Sequence, residues 1–215
     1  MCDAITRAAR RPNVPRKTRP YARSLRRFSW RAAAIVAVAA VLFGPHLSAQ
    51  QNSPTEYQVK AAFLFNFAKF VDWPPSSFAG PKSPFVICIL GADPFGQAID
   101  ETLRGQAIGS HPVAVQRVQD PSQLRHCHMA FISASEKIRL QAILQSVRDA
   151  NVLLVGDTPG FAARGGAIQF QMQDQRIRFS INPAAAERAG LRVSSKLLAL
   201  ATIVHDGETG SGGKG

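Results

Sequence analysis

The chain has 215 residues, of which 46% are hydrophobic and 19% charged, with three cysteines and a formal net charge of +12. This length suits one ordinary domain or two small ones, and the apolar fraction excludes a disordered chain. A charge of +12 by itself would favour binding to nucleic acid or to an anionic membrane. However, residues 1–49 hold ten Lys and Arg residues against one acid, which gives +9 and leaves +3 for residues 50–215. We therefore predict no nucleic-acid partner.

Residues 1–49 have the organisation of a secretory signal peptide. The basic stretch is followed by twelve apolar residues at positions 32–43. As a helix this run spans about 18 Å, too short for the roughly 30 Å hydrocarbon core of a bilayer. Gly44-Pro45 then interrupts the helix, and Leu47-Ser48-Ala49 is typical of a cleavage site. The sequence predicts export to the periplasm and cleavage near Ala49; the alternative is an uncleaved N-terminal anchor.

Export determines how the cysteines are interpreted. Cys2 is lost with the signal peptide, which leaves Cys88 and Cys127. An even pair in an exported chain favours a disulfide, worth about 3–4 kcal/mol for a loop of roughly 40 residues. The alternative is two buried thiols that never pair. His126 and His128 flank Cys127, but no second ligand cluster has zinc-like spacing, so we predict no metal and no cofactor.

The hydropathy pattern predicts alternating helices and strands in the first part of the exported chain. Ser53-Pro54-Thr55-Glu56 is a capping box that begins a helix, and Trp73-Pro74-Pro75 ends this helix after Val71. Strands are predicted over 85–90, 111–118, 129–133 and 152–155, with helices over 94–104 and after Ser133. This alternation favours right-handed crossovers and a largely parallel sheet.

Beyond residue 166 the pattern changes to strict alternation of apolar and polar residues. Residues 168–173 and 176–181 predict an antiparallel hairpin with one apolar and one polar face, of undetermined turn type. Asn182-Pro183 begins a short helix, and a last apolar helix is predicted over 196–204.

The expected fold class is α/β. We predict a three-layer sandwich with a largely parallel sheet, plus a C-terminal antiparallel hairpin and helices. These elements form a single domain over residues 53–205, followed by a flexible tail over 206–215.

The sequence contains no recognisable catalytic motif. It lacks a phosphate-binding loop, a dinucleotide fingerprint and a nucleophile elbow. Asp93, Ser133, Ser135 and Asp157 fall where parallel strands are expected to end, the usual place for a ligand crevice. Turn formation and helix capping explain the same four residues without a ligand.

Several segments resemble the YfiR-type family of small exported proteins. In chain order they are Lys60, Phe63, Asn66, Phe67 and Phe70 with Trp73-Pro74; Ile89-Leu90-Gly91 with Asp93-Pro94-Phe95; Gly156-Asp157; Arg178-Phe179-Ser180-Ile181-Asn182; and Leu191, Ser194-Ser195-Lys196-Leu197-Leu198 and Leu200-Ala201. Their order and spacing carry the resemblance, which covers about residues 55–204.

The resemblance implies a periplasmic α/β protein that is not an enzyme. The best understood members bind the periplasmic sensor region of a membrane diguanylate cyclase and repress synthesis of cyclic-di-GMP, and an outer-membrane lipoprotein can sequester them. Cys88 and Cys127 match the family's first cysteine pair. A second pair, found in some members around residues 162–169, is absent here, which argues against a redox switch that depends on it.

Three hypotheses about function follow. The first is a non-enzymatic regulator of such a cyclase, with a homodimer as one form. The second is a periplasmic small-ligand-binding or sensor protein that uses the crevice near Asp93 and Asp157. The third, a hydrolase, is disfavoured because no nucleophile–base pair is recognisable.

A regulator without catalysis needs an exposed surface for its partner. We predict this surface on the polar face of the hairpin, at Arg176 and Arg178, with Arg192 and Lys196 nearby. Arginine suits such a surface because its planar guanidinium pairs with carboxylates through two hydrogen bonds. The alternative is a solvated sheet face, with Arg178 held internally beside Asn182.

Overall fold

The structure is a computed structural model that describes residues 55–207. The predicted signal peptide, its cleavage site and residues 208–215 of the predicted tail lie outside the described residues. The helices are α1 (Glu56–Lys69), α2 (Gln97–Leu103), α3 (Leu140–Ser146), α4 (Pro183–Arg188) and α5 (Ser195–Leu198). The strands are β1 (Val71–Asp72), β2 (Phe85–Leu90), β3 (Ala107–Ile108), β4 (His111–Val118), β5 (Met129–Ile132), β6 (Leu153–Gly156), β7 (Ile168–Gln173), β8 (Arg176–Ile181), β9 (Arg192–Val193) and β10 (Thr202–Ile203).

Eight strands form one sheet in the order β10-β8-β7-β6-β5-β2-β4-β3. The five strands β4, β2, β5, β6 and β7 are parallel to one another. β8 is antiparallel to β7, and β10 is parallel to β8. β3 is antiparallel to β4, and β1 pairs with β9 in a separate two-stranded sheet. The predicted parallel sheet and antiparallel hairpin are therefore confirmed.

Both faces of the central sheet are covered, which explains why β2 is buried along its whole length. Alternate residues of a strand point to opposite faces. On one face, Ile87 belongs to a cluster that includes Phe67 of α1; we call it the first core. On the other face, Cys88 belongs to a second core with Leu124 and Ile143 of α3. Helix, sheet and helix thus form the expected three-layer sandwich.

The predicted start of α1 is wrong by two residues. Thr55 is the N-cap, and the capping box consists of Thr55 and Gln58. The backbone N–H of Gln58 donates to Thr55 Oγ1 over 3.3 Å, and the N–H of Thr55 donates to Gln58 Oε1 over 2.7 Å. Both segments have residue types that can cap a helix.

The two central helices are shorter than predicted because capping turns take up their first residues. Asp93 accepts hydrogen bonds from the N–H groups of Phe95 and Gly96, so α2 begins only at Gln97. Ser133 caps a single turn of 3-10 helix over Ala134–Glu136, and α3 follows at Leu140.

The turn of the β7–β8 hairpin consists of Asp174 and Gln175, whose φ angles are 50° and 59°. Positive φ at both central residues is typical of a type I′ turn, whose twist matches the flanking strands. Asp tolerates this conformation better than most residues, which explains how a turn without glycine forms here.

The predicted helix over 196–204 is wrong in its second half. α5 ends at Leu198, and Thr202 and Ile203 form β10, in register with Ser180 and Ile181. The edge of β8 offers unpaired backbone groups, and a strand satisfies them where a helix cannot. The chain remains bound beyond the expected domain end, since the N–H of Gly207 donates to the carbonyl of Ala163. None of the helices between residues 55 and 207 is long and apolar enough to cross a bilayer.

Candidate functional site

The predicted ligand crevice lies at the carboxyl ends of the parallel strands, and Asp93 there is fully engaged. One carboxylate oxygen accepts from the backbone of Phe95 over 2.7 Å. The other accepts from Arg117 Nε over 2.9 Å, and the same guanidinium binds Asp100. The hydrogen bond from Arg117 lowers the pKa of Asp100. Asp93 therefore closes a turn and anchors β4 to α2.

The side chains of Ser133 and Ser135 also accept hydrogen bonds from backbone N–H groups. Ser133 Oγ accepts from the N–H of Ser135, as expected for a capping residue. Ser135 Oγ accepts from the N–H of Ala92 over 3.0 Å and so joins the loops that follow β2 and β5. The capping interpretation fits Ser133, whereas Ser135 links two loops that are distant in the chain.

Asp157, directly after β6, belongs to a cluster of titratable side chains that the sequence did not reveal. Its Oδ2 accepts from Lys60 Nζ over 2.7 Å and from the Tyr57 hydroxyl over 3.1 Å. Lys60 also pairs with Glu56, one turn earlier in α1, over 2.6 Å. Only 3% of Lys60 is exposed, and its ammonium lies 5.7 Å from the centroid of the Phe170 ring. We call Glu56, Tyr57, Lys60 and Asp157 the lysine cluster.

The charge states of the lysine cluster follow from its contacts. Burial by itself lowers the pKa of Lys60, but the hydrogen bonds to Asp157 and Glu56 outweigh this and raise it. Burial and the negative charge of Asp157 raise the pKa of Tyr57. At neutral pH the cluster thus contains an ammonium group and a neutral phenol, neither of which is a base. The arrangement fastens the first turn of α1 to the end of β6.

In the sequence, Lys60 stands out only as part of the family resemblance. Its partner Asp157 is 97 residues away in the chain, and no local pattern links the two positions. A lysine among phenylalanines in an otherwise apolar helix was the available signal, because a buried cation requires a partner.

The four cations predicted to bind a partner are all exposed, in two groups. Arg176 and Arg178 lie on the face of β8 opposite to Phe179, which belongs to the first core. Arg192 and Lys196 lie in β9 and α5, which pack on the first core through Leu191 and Leu197.

The two groups thus belong to opposite sides of the sheet. Within residues 55–207, none of the four cations makes a hydrogen bond or an ion pair through its side chain. Asn182 instead bonds Ala162, Ala185 and Asp206, so Arg178 is not held internally beside it.

The structure pairs Cys88 with Cys127 in a disulfide, with their Cα atoms 6.0 Å apart. His128, next in the chain, has a structural environment rather than a metal site. Its Nδ1 accepts from the N–H of Val86 over 3.0 Å, and its ring lies 4.8 Å from those of Phe78 and Phe85. Burial lowers the pKa of His128, which keeps it neutral. Among residues 55–207, no group of His, Cys, Asp and Glu side chains could hold a metal ion.

Comparison with known proteins identifies a family and solved structures that are similar to this chain. Residues 57–202 match the model of a family described as YfiR/HmsC-like. No curated protein matches the chain. The chain is similar to a conserved domain protein from Vibrio cholerae O1 biovar eltor, with 11% sequence identity and a TM-score of 0.48. The similarity covers 69% of this chain and 60% of that protein, so the chain spans less than two thirds of its length.

Proposed function

Since the chain belongs to the YfiR/HmsC-like family, we propose that it is an exported, non-enzymatic regulator of an inner-membrane diguanylate cyclase. It binds the periplasmic sensor domain of the cyclase and lowers cyclic-di-GMP. The observation that carries this proposal is the family match over residues 57–202. The disulfide between Cys88 and Cys127 supports export, because disulfides persist in oxidising compartments such as the periplasm.

We place the contact with the sensor domain on the hairpin, at Arg176 and Arg178. Two residues apart on one strand, they share a face and lie opposite Gln173 and Gln171 of β7. Exposed cations without intramolecular partners can bind carboxylates of another protein, because no hydrogen bond or ion pair within the chain has to break first. The surface therefore fits an acidic segment of the partner.

The edge of β8 beside these arginines supports the same location. β10 pairs only with Ser180 and Ile181. Within residues 55–207, no strand pairs with residues 176–179 on the side away from β7. An extended segment of the partner could add to this edge through backbone hydrogen bonds, with its acidic side chains directed at the two arginines.

The test is charge reversal at each position, by Arg176→Glu and Arg178→Glu. Lys82→Glu is the matched control, since Lys82 is also exposed but lies on the loop before β2. Circular dichroism checks folding, and the measurements are cyclic-di-GMP in cells and recovery of the cyclase in a crosslinked pull-down. We expect folded arginine variants that raise cyclic-di-GMP and lose the cyclase, while Lys82→Glu does neither. Full repression by both arginine variants would exclude the hairpin as the contact.

Arg192 and Lys196 belong to a second surface, on the other side of the sheet. The family resemblance extends the proposal to an outer-membrane lipoprotein that sequesters the regulator, and to a homodimer. The charge reversals Arg192→Glu and Lys196→Glu separate these roles, because a lipoprotein or dimer contact can be lost while repression of the cyclase persists. Sedimentation of each variant reports the dimer, and a pull-down reports the lipoprotein.

A further inference from the structure

A cleft lined by three arginines has residues of both the first and the second core in its wall. It has a volume of about 240 Å³ and is bordered by α3, the 3-10 helix Ala162–Arg164 and α4. The arginines are Arg148 just after α3, Arg164 of the 3-10 helix and Arg188 of α4, and Asp206 is the single acid in the lining. We call this the arginine cleft. It contains none of the residues of the hairpin surface or of the lysine cluster.

Asp206 shows how the arginine cleft holds a carboxylate of the chain itself. Its carboxylate takes two hydrogen bonds from the guanidinium of Arg188, over 2.7 and 3.1 Å. A third comes from the amide of Asn182 over 2.7 Å, and Asn182 is completely buried. The hydrogen bond to Arg188 lowers the pKa of Asp206, which is therefore ionised at neutral pH. The chain's own carboxylate is thus held by the planar two-point pairing that arginine offers to carboxylates and phosphates.

The other two arginines leave positive charge uncompensated. Arg164 donates only to the backbone carbonyls of Gly160 and Pro159, over 3.2 and 2.8 Å. Within residues 55–207, the guanidinium of Arg148 makes no hydrogen bond or ion pair. One carboxylate thus faces three cations, so the cleft has a surplus of two positive charges. Three cations converging on a concave surface raise the local concentration of anions.

Apolar residues also line the cleft, beside the arginines. They are Leu144 of α3, Val147 directly after α3, Leu154 of β6 and Ala185 of α4. Small-molecule sites are concave and combine apolar lining residues with a few polar groups that orient the ligand.

We propose that the arginine cleft binds a small organic anion through a phosphate or carboxylate group. Arg148 and Arg164 contact this group, and Arg188 is shared between the ligand and Asp206. The apolar part of the ligand contacts the lining residues Leu144 and Val147. Because Asp206 already occupies Arg188, it acts as an internal competitor and lowers the affinity of the site. This binding is independent of the contact with a sensor domain.

The test measures anion binding to the purified exported protein. Sodium chloride is adjusted so that the ionic strength stays constant as the probe is added. Pyrophosphate and citrate are the probes, and the two arms separate phosphate from carboxylate recognition. Isothermal titration gives the affinity, and thermal unfolding should show a saturable rise in Tm, since a ligand that binds only the folded state stabilises it. We expect at least one probe to bind saturably.

Three variants locate the site. Arg148→Gln should weaken binding at least tenfold, whereas Arg104→Gln, at an exposed arginine directly after α2, should leave the affinity unchanged. Asp206→Asn should strengthen binding by removing the competing charge. The proposal is overturned if neither probe binds saturably, or if Arg104→Gln weakens binding as much as Arg148→Gln. An unchanged affinity in Asp206→Asn would overturn the competition at Arg188.

Discussion

The lysine cluster allows a quantitative test of the packing between α1 and the sheet. In Asp157→Asn, the ammonium of Lys60 loses its buried partner but keeps Glu56, whose side chain is 41% exposed. Removing one member of a buried ion pair costs about 3–5 kcal/mol. Because Glu56 and solvent near it compensate in part, we expect a loss of about 2–3 kcal/mol in the free energy of unfolding. Lys60→Met should cost a similar amount, since Asp157 then keeps only the hydroxyl of Tyr57.

The double variant Lys60→Met/Asp157→Asn separates the ion pair from general damage to the packing. The double variant buries no unpaired charge. Its loss in the free energy of unfolding should therefore be smaller than the sum of the losses of the two single variants, by about 1–3 kcal/mol. Urea unfolding at pH 7, followed by circular dichroism, gives these values if the slope with denaturant is the same in all variants.

Lys69→Met is the matched control for this cycle. It removes an exposed lysine from the last turn of the same helix and should change stability by no more than about 0.5 kcal/mol. Additive single losses, to within about 0.5 kcal/mol, would refute the coupling between Lys60 and Asp157. If Lys69→Met lowered the free energy of unfolding as much as Lys60→Met, the loss would come from removing a charge on α1 and not from the buried pair.

Three further changes test other parts of the structure. Cys127→Ser should lower the free energy of unfolding by about 3–4 kcal/mol under non-reducing conditions, because the disulfide joins residues 39 positions apart; an equally stable variant would contradict this. Burial lowers the pKa of His128, so below about pH 6.5 the unfolded chain binds more protons than the folded one. Stability should therefore fall with decreasing pH, by at most about 1.4 kcal/mol per pH unit for this group, and His128→Phe should remove that contribution. Urea titrations from pH 7.5 to 5 measure it, and an identical slope in the variant would disprove the assignment. Gly166→Ala should destabilise the protein strongly, since its Cβ would overlap the buried ring of Phe161, while Gly80→Ala, in open space, should unfold at nearly the parent temperature.

The sequence by itself determined the elements whose burial is regular along the chain. β2 has the bounds predicted from an uninterrupted apolar run, because a strand covered on both faces excludes polar side chains. β7 and β8 have the predicted bounds because apolar and polar residues alternate along both, and this period of two places Phe170 and Phe179 in the first core. The family resemblance provided a hypothesis about function, which these hydropathy patterns could not provide.

Only the tertiary structure decided the outcome where local patterns were compatible with more than one conformation. Residues 202–203 are apolar enough for a helix, but the free edge of β8 made them a strand. Asp157 suited a turn or a ligand crevice in the sequence, but the approach of Lys60 from α1 made it part of an ion pair. The arginine cleft combines Arg148, Arg164 and Arg188 from three separate segments. Periodicity indicates which residues of a segment are buried and which are exposed. Contacts between distant segments depend instead on which segments the packing of the core brings together.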